Sequence, residues 1–504
     1  MAFYRIFSGF IVSLFIIYTT PGAEKHYSEL WGRNGEKWTP KSRLPDFSYA
    51  GYHSGEKEIP EIKIKANVRD FGAAGDGKHD DSQAFIDAVA ATENGAIFIP
   101  EGRYKITKII EIKKSNIVLR GAGTDKTVLY FPVPLNDIKP NWGSTTSGKK
   151  TSNYSWSGGI IWFKGRYIGK KLANIAKPSE RGGKEVTISR SEKIKKGDKV
   201  IIYISDDKDK TLFSYLYSEN PGDFSKFRGN IKIPFTVSVT KIKANQLFFD
   251  RPLRSDIRLI WKPQIKEFTP TLQESGIENL SIEFPNTPYR GHFSEKGYNA
   301  VAMDGAVNCW VKNIRIKNAD SGIFLHSAFC TIDNLLIESE RKPRKTYTGH
   351  HGVELCGMDN ICKNFEFRTS FIHDLGVSAA SVGNVYSTGK GVDLTLDHHK
   401  RAPYENLYTE LNAGKGTRLW HCGGGKKLGK NCAARGTFWN IKTEIPQRYP
   451  PPQFGPDSLN FTGINTRLPS ITEKDGKWFE ALSPVEIYPQ NIYKAQIMYR
   501  IKKQ

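Results

Sequence analysis

Residues 313–337 read NIRIKNADSGIFLHSAFCTIDNLLI. Asn313 is followed by an apolar, polar, apolar triplet, a near variant returns at Asn334, and between them Gly322 opens a second alternation on Ile323 and Leu325. Period-two alternation over a few residues marks a short strand with one buried face. Strands returning at a fixed interval of this length mark a stacked repeat. The asparagine pattern occurs at Asn116, Asn279, Asn313, Asn334 and Asn364, with looser copies at Asn384, Asn406 and Asn440. From Asn279 onward the steps are 34, 21, 30, 20, 22 and 34 residues, so the basic coil is 20 to 22 residues and carries insertions. Such a chain is expected to be all-β, a single-stranded parallel β-helix (solenoid) whose turns stack about 4.8 Å apart. An asparagine at one corner is expected to point inward and bond its copies above and below.

A second register lies between those asparagines. Gly322-Ile-Phe-Leu, Gly352-Val-Glu-Leu, Gly376-Val-Ser-Ala, Gly391-Val-Asp-Leu and Gly416-Thr-Arg-Leu each read as a glycine corner followed by one strand. If the first and third strand residues point inward, Phe324, Glu354, Ser378, Asp393 and Arg418 share an outer wall. Beside the same corners stand Asp320, His350, His351, His373 and Asp374. The loops after the strands add His326, the run Asp397-His398-His399-Lys400-Arg401, and His421. His326, His351, His373, His398 and His421 are spaced by 25, 22, 25 and 23 residues, about one coil each. One histidine pair is a polar turn or a satisfied core group. A ladder of them is a site, because stacked ionisable groups shift one another's proton affinity.

The repeat also has a recognisable opening. VRDFGAAGDGKHDDSQAF (68–85), GAIFIPEGRYKI (95–106) and NIVLRGAG (116–123) combine glycine turns, a helix with Ala84, Phe85, Ala88 and Val89 on its apolar face, and two strands. Asp76, Asp80 and Asp81 serve turns and the helix cap in this reading rather than a calcium site. These stretches resemble the opening of the pectate-lyase superfamily of right-handed parallel β-helices. The resemblance implies that fold. It leaves the reaction open, since the superfamily includes lyases, hydrolases and phage tailspikes. The calcium-binding aspartate pattern and catalytic-arginine motif of pectate lyases, and the paired-aspartate signature of polygalacturonases, have no match here, so no residue role carries over.

The 504 residues divide into a signal peptide (1–23), an N-terminal strap (24–66), the β-helix (67–445) with a β-rich insertion at about 132–275, and a C-terminal tail or cap (446–504). Arg5, the apolar run Phe10 to Tyr18 and the small residues before Glu24 make the export signal. No segment reaches the roughly 18 apolar residues of a membrane span, so the mature protein is expected to be secreted or periplasmic. Six cysteines in an exported chain suit disulfides. Cys309 and Cys330 each lie four residues before an asparagine and should stack within bonding reach, as a disulfide or as two thiols. Cys356 with Cys362, and Cys422 with Cys432, bracket short loops.

The formal net charge is +22, a field that gathers polyanions. For an exported chain the expected partner is an anionic polysaccharide carrying carboxylates or sulfates, not nucleic acid, and the protein is expected to act as a monomer. Histidines and cations with a few carboxylates suit β-elimination at a uronic acid: a cation neutralises the carboxylate, a base takes the C5 proton, and an acid protonates the leaving oxygen. Arg418, with Lys400 or Arg401 in reserve, is the cation. His351, His373 or His399 is the base, and Tyr404 or another histidine the acid. His350, Asp320 and His421 complete the binding face. The alternative is glycoside hydrolysis by Glu354 and Asp393, two rungs apart. A third is a glycan-binding β-helix without catalysis. No cofactor is required. Calcium on groove carboxylates is possible, and His351 with Glu354, or Asp397 with His398 and His399, could take zinc, although no zinc motif is matched. GGGKKLGKN (423–431) lacks phosphate-loop spacing and reads as a basic lip.

Overall fold

The computed structural model describes residues 25–145, 147–190 and 193–503; the expected export signal, 1–23, lies outside them. The described chain is a parallel β-helix whose coils feed two sheets. The longer sheet includes Gly95–Ile99, Ile117–Gly121, Gly276–Glu283, Trp310–Lys317, Thr331–Glu338, Ile361–Phe367, Val385–Gly391, Leu407–Asn412, Thr437–Lys442 and Asn460–Ile464. The second, called the site sheet below, runs Ile110–Ile112, Ile161–Lys164, Asn299–Val307, Ser321–Ala328, Gly349–Met358, Phe371–Val377 and Leu396–His398. Ile110, Ile161, Val301, Ile323, Val353, Leu375 and Leu396 stack in a single inward column of that sheet, all within one continuous core. The helix Ser82–Ala91 packs Ala84, Phe85, Ala88 and Val89 onto that same core. Asp81 accepts from the N–H groups of Ala74 and Gly75, and Asp76 from those of Lys78 and His79, which is turn and cap duty.

The asparagine repeat is present, but it divides into two ladders. Asn279, Asn313, Asn334 and Asn364 sit mid-strand in the left-handed conformation, with φ of 60°, 52°, 58° and 55°. They point outward. Asn313 donates to Asn279 and Asn334 to Asn313, each at 2.8 Å. Asparagine tolerates positive φ better than other non-glycine residues, so the repeat marks a bend at the surface rather than an inward corner. The inward ladder is another set: Asn360 donates to Asn384 at 2.9 Å and Asn384 to Asn406 at 3.0 Å, all fully buried.

Between Ile161–Lys164 and Leu272 the chain leaves the coil and builds a six-stranded antiparallel sheet centred on Lys199–Ser205 and Lys232–Lys243. Its core packs on Val307, Phe329, Met358, Val382, Tyr404 and Ala433, at the turns between the two solenoid sheets. Residues 25–59 and the C-terminal helix Ile492–Lys502 lie on the outer face of the long sheet, where Trp31, Phe47 and Ile492 cover Ile361, Val385, Leu407 and Trp439. All six cysteines are free thiols, which corrects the disulfide expectation. Cys356 and Cys362 stand on strands of different sheets. Cys309 and Cys330 stack on adjacent turns, with Thr331 N–H bonded to the Cys309 carbonyl, yet their thiols face the carbonyls of Val307 and Ala328. No helix among the described residues is long and apolar enough to cross a membrane.

Candidate functional site

Five histidines converge on the outer face of the site sheet. His351 and His373 are cross-strand neighbours with ring centroids 5.1 Å apart. His350 lies 4.1 Å from His351 and 5.4 Å from His373. Just past the last strand, His399 stands 5.0 Å from His373 and 6.1 Å from His351. His292 arrives from the loop between Glu283 and Asn299 and lies 4.5 Å from His350.

Carboxylates back these rings. Glu354 pairs across the sheet with Gly376, and Gly376 with Asp397, so the two acids share a column two rungs, about 10 Å, apart before they lean. The bare rung lets Glu354 lean: a Cβ on Gly376 would stand 2.0 Å from Glu354 Oε2. That oxygen lies 3.6 Å from His351 Nδ1. Asp397 Oδ2 is 2.9 Å from His399 Nδ1 and 3.2 Å from His373 Nδ1, while its Oδ1 accepts the Gly423 N–H at 2.6 Å. Gly423 roofs the pair, since a Cβ there would meet His399 Cε1 at 2.2 Å and His373 Cε1 at 2.7 Å. Behind His350, Glu295 Oε1 lies 3.6 Å from its Nδ1 and accepts the Tyr289 hydroxyl proton.

The environments pull these groups apart. Burial pushes His373 down to about 3, against the opposing pull of Asp397. Partial desolvation by the neighbouring groups takes the loop residue His292 to about 4, with His351 and His399 adding to the effect. His350 falls well below its usual range through burial and its histidine neighbours. Burial also disfavours the His399 imidazolium, but Asp397 and Glu354 outweigh it and hold this ring above its ordinary value. Asp397 would be raised by burial, yet His373, His399 and the Gly423 N–H hold it well below the usual carboxylate range. Glu354 is likewise lowered overall, burial being overcome mainly by His351. Glu295 is raised to about 7 by burial, which the Tyr289 hydrogen bond only partly offsets.

Of the residues expected from sequence, His350, His351, Glu354, His373 and His399 come together, with Asp397 among them. The remainder stand elsewhere. Arg418 is buried, donating to Asp374 at 2.6 Å and to the Phe371 carbonyl at 2.7 Å, and so holds a buried carboxylate. Asp320 is buried against Arg341 at 2.9 Å and accepts from the N–H groups of Gly297 and Tyr298. Asp393 lies outside the site sheet and accepts from Thr417. Lys400 reaches the Gly429 carbonyl at 2.9 Å. Tyr404 is buried in the core of the antiparallel insertion, and His421 is exposed away from the cluster. Arg401 is exposed, and its charge bears on His399. The histidine ladder breaks in the same way. His398 points inward among Tyr408, Phe438 and Phe454, and His326 pairs with Asp304 at 3.0 Å.

On the strands, part of the cause is register. Gly322 stacks on Gly352, but the next coil is 22 residues, so Asp374 stacks on Gly352 and Gly376 on Glu354. The sequence reading missed His292, Glu295 and Gly423. The 34-residue step from Asn279 to Asn313 marks an inserted loop, and a histidine within it was the available signal. Calcium takes six to eight hard oxygens. A cluster dominated by imidazole nitrogens does not fit it.

The family model for rhamnogalacturonase A/epimerase, pectate lyase-like, matches residues 65–135. The chain is 31% identical over 165 residues to a pre-neck appendage protein of Bacillus phage B103, covering 32% of this chain and 18% of that protein. It is 36% identical over 103 residues to alginate lyase 7 of Azotobacter vinelandii (19% and 12% covered) and 40% identical over 97 residues to mannuronan C5-epimerase AlgE6 of the same organism (18% and 11%). The chain therefore spans less than a fifth of the length of these relatives. Among solved structures, the tailspike protein gp49 of Pseudomonas phage LKA1 aligns with a TM-score of 0.44 at 15% identity, covering 81% of this chain and 68% of that one. The matched opening is similar to that of pectate-lyase-like proteins, and the described residues form a parallel β-helix.

Proposed function

We propose that this chain is an exported enzyme that cleaves an acidic, uronate-bearing polysaccharide by β-elimination. One observation carries the reading: two histidine–carboxylate pairs, His351 with Glu354 and His399 with Asp397, face each other with ring centroids 6.1 Å apart. In this reading C5 and O4 of one sugar lie against these two rings. His351 takes the C5 proton, and Glu354 stabilises the imidazolium that results. The C5–H electron pair becomes the C4–C5 double bond. The C4–O4 bond breaks toward the leaving oxygen, which receives a proton from His399. Acid–base catalysis of this kind contributes roughly 10²–10⁴-fold. Arg401 is the exposed cation available to neutralise the uronate carboxylate and so acidify the C5 proton. A net charge of +22 draws the polymer in. The names of two relatives, an alginate lyase and a mannuronan C5-epimerase, support chemistry on a uronan.

A second reading is hydrolysis with Glu354 and Asp397 as the carboxylate pair. The shared column favours it, since Glu354 and Asp397 stand on either side of the bare rung at Gly376. The test is incubation with a panel of uronate-containing and sulfated polysaccharides, following both unsaturated-product absorbance and reducing ends. Absorbance growth is expected. Reducing ends without absorbance support the hydrolase. Tight binding with neither signal means a glycan-binding module and overturns both enzymatic readings.

A further inference from the structure

His292, His350 and His373 take no part in that acid–base scheme, yet their rings converge. One nitrogen of each lies within 4.8 Å of a nitrogen on each of the others. His350 is 2% exposed and His373 6%. His350 Nδ1 and both nitrogens of His373 have no hydrogen-bond partner. Nδ1 of His350 and Nδ1 of His373 face carboxylates, so the buried His373 Nε2 is the nitrogen left over; buried polar atoms are nearly always paired, and this one needs something that takes up its lone pair. Carboxylates stand behind two of the rings, Asp397 beside His373 and Glu295 beside His350. Outer carboxylates orient metal-bound imidazoles in this way. His292, exposed on its loop, forms the solvent side.

The geometry points to a site for one divalent transition metal of the zinc class, held by His292, His350 and His373, with a further position open to the groove. Imidazole suits zinc, copper, iron and nickel rather than calcium, and three protein ligands with an open position are the arrangement of a catalytic zinc. An ion there would polarise an anionic group of the bound glycan. That role rests on the polysaccharide reading above; the binding of the ion does not. His373, Asp397 and His399 form a second group of the same span, but His399 and Asp397 already satisfy each other with a hydrogen bond at 2.9 Å.

The test titrates the full-length protein, freed of metal by chelation, with zinc(II) by calorimetry and with cobalt(II) by visible absorption. The expected result is one equivalent bound, with the cobalt bands of a low-coordinate nitrogen site. His292 is exposed, so His292→Ala folds, as checked by circular dichroism. It should weaken binding by at least about 100-fold, the upper end of what losing a mere supporting residue costs. His79→Ala, at an exposed histidine of the strand Asp76–Asp80, should leave affinity unchanged. The assignment is overturned if the wild type binds no stoichiometric metal, or if His292→Ala binds as wild type does. It is equally overturned if Asp397→Asn abolishes binding while His292→Ala does not, since the ion then sits with Asp397 and His399. The titration contains no glycan. Stoichiometric metal without any glycan turnover therefore removes the lyase reading and leaves the metal site standing.

Discussion

Two glycines define the proposed site as much as its histidines do. Gly376 leaves the rung over which Glu354 leans, and Gly423 lets a loop backbone close on Asp397. Gly376→Ala puts a carbon 2.0 Å from Glu354 Oε2. Displacement of a positioned group by about 1 Å costs on the order of 100-fold in rate. Turnover of the polymer that the panel identifies should fall by about that factor. The melting temperature should change little, because a side-chain end, not backbone, must move. Unchanged turnover would mean that Glu354 has no role. Arg418 behaves in the opposite sense. Its partner Asp374 is fully buried and also accepts from Phe371 and Thr395. Removing one member of a buried ion pair costs about 3–5 kcal/mol. Arg418→Ala should thus show its deficit in denaturant unfolding, and any residual folded protein should keep its glycan affinity.

At the level of the element, the two asparagine ladders differ in what they hold. Asn384 links Asn360 below and Asn406 above with no access to water, so Asn384→Ala takes the acceptor from the Asn360 backbone N–H and from its side-chain amide. Each buried orphan costs about 1–3 kcal/mol, and the loss should appear directly in urea unfolding. Asn334 lies exposed at φ 58°, and Asn334→Gly should leave stability nearly unchanged, since glycine accepts that conformation freely. Equal losses at the two positions would refute the distinction. The same contrast shows what the sequence made legible. Strand alternation and coil length are local properties, and they revealed the solenoid. Which residue of one coil stacks on which residue of the next depends on turn length, and a shift of two residues preserves the inward–outward alternation. From Gly352 to Gly376 the register kept its faces while exchanging partners, whereas Asp393 and Arg418 fall outside the site sheet and were read into a wall that Asp397 occupies. His292 escaped because it approaches through a loop with no repeat of its own.

For the molecule as a whole, the antiparallel insertion matters because it supports the loop that roofs the site. Lys226 N–H bonds to the Lys427 carbonyl, Gly429 N–H to that of Asp223, and the Tyr217 hydroxyl donates to the Lys430 carbonyl while accepting from Ala402 N–H. Two buried ionic clusters clamp the insertion to the coil. Arg251 and Arg254 hold Asp359, and Arg181, Arg254 and Arg435 surround Glu405. Burial alone would raise Glu405, but Arg435, Arg181 and Arg254 outweigh it and keep its carboxyl below the ordinary value. A carboxylate lowered by folding stabilises fully above its unfolded pKa, about 4.3, and loses that contribution as pH falls through the folded value. Glu405→Gln removes the charge and leaves three guanidiniums facing one another, so it should cost about 3–5 kcal/mol at pH 7. The gap between variant and wild type should then begin to narrow as pH drops below the unfolded value, about 4.3, and close only as pH falls through the lower folded value, where the wild-type carboxyl takes up its proton. Denaturant titrations of both proteins at neutral pH and at successive acidic values measure that gap. A gap that stays constant down to the acid transition would show that Glu405 acts through packing alone and that the clamp is not ionic.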